Sequence, residues 1–131
     1  MTSRLIALFA AGFLLSACEP SLQRIKPDFA DAFSCSLPDT ARVVEARKEV
    51  GGYALYAVVE LPPEEFSRVE PVLARLPRLG KGSALEVVAW GELKHHVQQA
   101  DYVVESNSQK RLARCGILPR NHQLVFAIEY Q

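Results

Sequence analysis

Several kinds of chemistry have no foothold in this chain because their residues are missing. Its 131 residues contain no Gly-x-Ser-x-Gly elbow, no phosphate-cradling glycine loop and no dinucleotide fingerprint. Lys plus Arg and Asp plus Glu number 15 each, for a formal charge of +0. Without a cationic excess the chain has little with which to neutralise a phosphate backbone, which argues against nucleic-acid binding. Cysteine is scarce, limited to Cys18, Cys35 and Cys115, and no two stand as Cys-x-x-Cys, so the usual dithiol signature is absent. His-Glu-x-x-His is missing too. No repeat or low-complexity segment occurs, and after Cys18 no apolar run approaches the roughly 20 residues of a bilayer-spanning helix.

What is present begins at the N-terminus. Arg4 supplies a positive flank, and Leu5 to Leu15 form an uncharged core of Leu, Ile, Ala, Phe and Gly. It is too short to span comfortably and predicts a signal peptide over residues 1–17. The segment Leu15-Ser16-Ala17-Cys18 resembles the lipobox of bacterial lipoproteins. That resemblance implies diacylglycerol on the Cys18 thiol, cleavage ahead of it and acylation of the new amine. It implies a domain held on a lipid bilayer through Cys18, since each buried methylene contributes about 0.8 kcal/mol and two or more chains anchor stably. Glu19 rather than Asp follows the cysteine, which by analogy with enteric lipoproteins implies the outer membrane, facing the periplasm. The competing reading is an ordinary secretory signal cleaved near Ala17, leaving Cys18 as a free thiol.

In such an oxidising compartment, Cys35 and Cys115 read as a disulfide. It would close a loop of about 80 residues, for which the chain-entropy model gives roughly 4 to 5 kcal/mol. A reactive thiol is the alternative and requires a depressed pKa with exposure. The expected organisation is a leader (1–17), the lipidated cysteine with a short tether (18–34) and a globular domain (35–131). Pro20 and Pro27 interrupt the tether, and Asp28 suits the start of one helical turn carrying Phe29 and Phe33 on one side. Charge is uneven: residues 19–70 carry six Lys and Arg against ten Asp and Glu, and residues 71–131 carry eight against five.

The expected fold is α+β, a single small domain with a mainly antiparallel sheet, an N-terminal hairpin (42–50/53–61) and one or two helices packed on one face. Gly51-Gly52 is a two-residue connection that tolerates positive φ. Pairing Val50 with Tyr53 sets Lys48 against Leu55, Ala46 against Ala57 and Val44 against Val59. One face then gathers Val44, Ala46, Val50, Tyr53, Leu55, Ala57, Val59 and Leu61 as core. The other, with Glu45, Arg47, Glu49, Tyr56 and Glu60 and with Val43 and Val58 among them, should be largely wet. Pro62-Pro63-Glu64-Glu65 opens a helix, with proline in the first turn and carboxylates at the positive dipole end. Phe66, Val69, Leu73 and Leu76 form its stripe, and Pro71 should kink or split it. Ala84 to Trp90 alternates like a third strand. Glu92 to Val104 carries a helical stripe, although Tyr102-Val103-Val104 alone suits a strand. Arg111 to Leu118 and Gln123 to Tyr130 read as a closing strand pair.

Phe33, Leu37-Pro38-x-Thr40-Ala41, Val43, the hairpin, the Pro-Glu-Glu-Phe helix start, Trp90 and the apolar last strand together resemble a group of small bacterial lipoproteins of undefined role. The resemblance implies architecture over residues 33–131 and supplies no active site.

Glu92-x-x-His95, with His96 beside it, places a carboxylate and an imidazole on one side of a helix. His122 would complete three protein ligands for a metal if the fold brought it near. Exposed histidines are the plain alternative. Trp90, Tyr56 and Tyr102 are candidates for a binding surface, because aromatic side chains dominate interface hot spots; core packing competes. Lys94, Lys110, Arg111, Arg114 and Arg120 suit lipid headgroups, an anionic polymer or an acidic partner, or simply solvated loops. No catalytic residue and no cofactor is expected. The functional expectation is a membrane-anchored, non-enzymatic binding or accessory domain for another protein of the cell envelope, of inhibitor or immunity type. Its alternatives are a small metal-assisted envelope hydrolase using Glu92 and His95, and a structural or peptidoglycan-associated lipoprotein.

Overall fold

Alternation in the hairpin sets the first two strands of the sheet. A computed structural model describes residues 20–49, 53–86 and 88–130. The leader, Cys18, Glu19, Val50 and the Gly51-Gly52 turn lie outside the described residues. Strand β1 (Arg42–Glu49) pairs antiparallel with β2 (Ala54–Glu60), with Lys48 opposite Leu55 and Ala46 opposite Ala57, as the alternation requires. The register then slips between Val43 and Glu45, so Val43 rather than Val44 faces Val59. Val44 is the unpaired residue of a β-bulge and is 40% exposed, which removes it from the core face. Tyr53 also leaves that face: with φ at 49° its side chain turns outward and is 72% exposed.

Four further strands complete the sheet: β3 (Arg78–Leu79), β4 (Tyr102–Glu105), β5 (Arg111–Leu118) and β6 (Gln123–Tyr130). Their order is β1-β2-β6-β5-β4-β3, and every pairing is antiparallel. The chain is thus one small α+β domain. β5 and β6 occupy the spans expected from their alternation. The last strand inserts beside β2, so β2, β6 and β5 are interior strands and must bury both faces.

On one face lie helices α1 (Leu22–Phe33) and α2 (Pro63–Leu73). Ile25, Phe29, Ala32 and Phe33 of α1 and Phe66, Val69 and Leu73 of α2 pack over Leu55, Ala57, Val59, Leu124, Phe126 and Ile128. The Phe29 ring stands 4.9 Å from Phe33 and 5.0 Å from Phe126, near edge-on to the latter. The segment expected as a tether is therefore largely part of the domain. Its stripe Ile25, Phe29, Ala32 and Phe33 buries a full side of a three-turn helix, and Pro27 sits within it. α2 likewise runs through Pro71 to Leu73 without splitting, because only the last turn loses a donor.

The second face is covered as well, which corrects the expectation of a wet side. Short helices α3 (Lys81–Leu85) and α4 (Lys94–Gln99), the latter preceded by a 3-10 turn at Gly91–Leu93, pack Ala84, Trp90, Leu93 and Val97 over Tyr56, Val58, Val125 and Ala127. The segment expected as a third strand does not form one among the described residues: its beginning closes α3, and Ala84, Val88 and Trp90 pack onto the sheet. The stripe of Glu92 to Val104 divides between α4 and β4. Interior strands with both sides apolar need two layers of cover, and the chain supplies them.

Candidate functional site

The turn between α3 and α4 is held by side chains that the sequence presents as a binding surface. Trp90 is 2% exposed and donates its indole N–H to the Ala84 carbonyl at 2.8 Å. Tyr56 is 1% exposed; its hydroxyl donates to Glu129, and the Arg47 guanidinium lies 4.4 Å over its ring. Arg47 also donates to the Ala89 carbonyl at 2.7 Å, and the Ala89 amide donates to Glu129 at 3.4 Å. Burial first, then the Glu129 hydrogen bond, push the Tyr56 hydroxyl well above its ordinary pKa. Trp90 and Tyr56 are thus fasteners beneath the second layer and not a surface. Tyr102, at the start of β4, is half-buried, under the Arg78 guanidinium at 4.1 Å and bonded to Glu70 at 3.4 Å.

Two arginines grouped with the solvated cations are fasteners also. Arg114 is only 7% exposed and donates to the carbonyls of Ser83 at 2.8 Å and Glu86 at 2.7 Å, closing the end of α3. Arg111, on the opposite face of β5, donates to the carbonyls of Asp31 at 2.9 Å and Ala32 at 3.1 Å, where α1 runs out of its own donors. Sequence reasoning missed both roles because each partner lies far away in the chain.

The structure does not assemble the metal triad. His95 donates through Nδ1 to the Glu92 carbonyl at 2.6 Å and stacks on His96, with ring centroids 4.0 Å apart. His96 in turn approaches Glu45 at 4.0 Å. Burial, then His95, hold the His96 pKa below its usual value, against the opposing pull of Glu45. His122 is elsewhere, edge-on to Phe66 of α2 at 5.6 Å. Among the described residues no group of three or more His, Cys, Asp or Glu side chains is arranged to hold a metal ion.

A concave surface does form where α1 meets the Glu49–Ala54 end of the hairpin. A pocket of about 390 Å³ has Ala54 and Leu55 in its lining, with Asp28, Lys48, Tyr53 and Tyr130 around them. The Tyr130 hydroxyl donates to Asp28 at 3.3 Å, while its amide donates to the Tyr53 carbonyl at 3.0 Å, joining α1, β6 and the hairpin at one corner. Burial, then the Asp28 charge, raise the Tyr130 pKa. Tyr130 therefore stays a neutral donor. The signal for this site lay in Tyr53: an aromatic residue directly after Gly51-Gly52 sits at a turn, where positive φ can swing it off the core face. Among the described residues no helix is long and apolar enough to cross a membrane. Set against known protein families, curated proteins and solved structures, the chain matches none of them.

Proposed function

We propose that this chain is a lipid-anchored, non-enzymatic domain of the bacterial cell envelope that binds another envelope protein through the Tyr53–Tyr130 pocket. The observation that carries the reading is Tyr53 itself. A large aromatic left 72% exposed beside a pocket with apolar lining is the arrangement of an interface anchor. Asp28 and Lys48 at the pocket give one charge of each sign, suited to a partner side chain that is apolar at its tip and polar at its base. The placement of α1 supports anchoring at close range. Four residue steps separate Cys18 from Leu22, so an acylated Cys18 would keep the helix within about 14 Å of the lipid surface. The partner is then a protein of the same membrane, or one that comes up to it.

The experiment is recovery of cross-linked partners from envelopes bearing the tagged, lipidated chain. One reproducible partner is expected, and Tyr53→Ala should weaken its recovery by about ten-fold or more, as loss of a hot-spot side chain does. Equal recovery by Tyr53→Ala, or no reproducible partner, overturns the reading. Retention on isolated cell wall without a protein partner would assign a structural role instead. Anchoring is checked separately: incorporation of a labelled fatty acid should be lost in Cys18→Ser.

A further inference from the structure

Two thiols take no part in that surface. Cys35 lies two residues beyond the end of α1, past Ser34, whose φ of 52° turns the chain. Cys115 sits in β5 between Ala113 and Ile117, on the face toward α1, with Phe126 and Val104 as its neighbours across the strands. The ring of Phe33, last residue of α1, is 6.3 Å from that of Phe126. Arg111, four residues before Cys115 in the same strand, grips the carbonyls of Asp31 and Ala32. The end of α1 is thereby held against β5, and Cys35 packs on the core that encloses Cys115. Both thiols are free; Cys115 is fully buried and Cys35 only partly. Burial, then the charge of nearby Cys35, raise the Cys115 pKa, and burial raises that of Cys35.

We propose that Cys35 and Cys115 form an intramolecular disulfide by thiol–disulfide exchange, with Cys35 as the entry thiol and Cys115 as the resolving one. The oxidant is an external disulfide, small or protein-borne. The Cys35 thiolate attacks one of its sulfurs, forming a mixed disulfide and expelling one thiolate. Cys115 then gives up its proton, its sulfur attacks the Cys35 sulfur, and the second external thiolate leaves. Two protein thiols are oxidised and one external disulfide is reduced to two thiols. The order follows from access, since only Cys35 meets solvent. The inference rests on the fold and is independent of the proposed binding surface.

The test uses the full chain purified in detergent, reduced, and then given oxidised glutathione. Trypsin should release Ile25–Arg42, uncut at Lys26 because Pro27 follows, joined to Cys115–Arg120. Cys115→Ala should stop at one glutathione on Cys35, while Cys35→Ala should leave Cys115 unmodified over the same interval. A stable glutathione adduct on Cys35 of the unchanged chain overturns the proposal. So does persistence of both thiols under conditions that oxidise the urea-unfolded chain. If Cys115→Ala does not fold, brief alkylation of the reduced, unchanged chain decides the order: Cys35 should react about ten-fold faster or more, and equal rates would refute it.

Discussion

Arg114 is the residue on which the second layer most depends. A helix of five residues has almost no internal hydrogen bonding, so α3 exists because a charged donor from the sheet takes its last carbonyls. Arg114→Met should lower unfolding stability by about 1.5 to 3 kcal/mol, the range for hydrogen bonds to charged groups, measured as a denaturant midpoint. Arg114→Lys should recover only part of it, because one ammonium cannot reproduce the fork. Gly116 is a second single-residue constraint: a Cβ there would stand 2.9 Å from Val125 Cγ1 and 3.2 Å from Ala100 Cβ. Gly116→Ala should cost about 1 to 3 kcal/mol by overpacking. Titration adds a third test. Burial, then the Glu70 charge, push Tyr102 up to about 12 from its ordinary 10.0. A raised folded pKa means that the folded chain holds the proton more tightly. The Tyr102 contribution is full below pH 10 and is lost as pH rises toward 12. Tyr102→Phe should show a shallower fall in stability across that window.

At the scale of elements, legibility followed the distance over which each element is determined. The hairpin, α2 and the β5–β6 pair are specified by residues within a few positions: Gly51-Gly52, the Pro62-Pro63 start, and Pro119 with His122 at the last bend. The β5–β6 pair and most of the hairpin stand where their patterns put them, and α2 starts as its prolines predict but ends at Leu73, leaving Leu76 of its expected stripe beyond it. Val44 escaped because a bulge inserts one residue without breaking the apolar run Val43-Val44. α1 escaped because Pro20 before it and Pro27 within it read as interruptions, whereas Ile25, Phe29, Ala32 and Phe33 obey helical spacing throughout. Ala84 to Trp90 escaped because its period of two is genuine, while the partners that override it, Arg114, Glu129 and Arg47, come from other strands. The candidate site suffered in the same way. Trp90 and Tyr56 were visible as aromatics, and only the covering layer shows that they are buried. Phe29→Ala separates a helix of the core from a tether: it should cost about 3 to 5 kcal/mol, whereas a change in a solvated linker would leave the denaturation midpoint unmoved.

At the scale of the whole molecule, the sheet is closed over on both sides, and the two coverings differ in kind. α1 and α2 adhere through large apolar side chains, Phe29, Phe33, Phe66 and Leu73 among them. The second covering is made of short helices and a turn, and relies on Arg47, Arg114, Trp90 and Glu129 reaching its backbone. Acid should act on this side through His96. Its folded pKa lies below the ordinary 6.5, so its contribution is present above pH 6.5 and is lost as pH falls below it. The apparent midpoint should therefore drop on acidification, and less so in His96→Gln. Arg111 and Arg114 leave β5 on opposite sides, and each ends in the backbone of a different covering. Slippage of that one strand would release both coverings together, so the molecule has no seam along which to come apart by halves. Native-state hydrogen exchange should accordingly find the amides of α1 and those of Ala84 opening in one event.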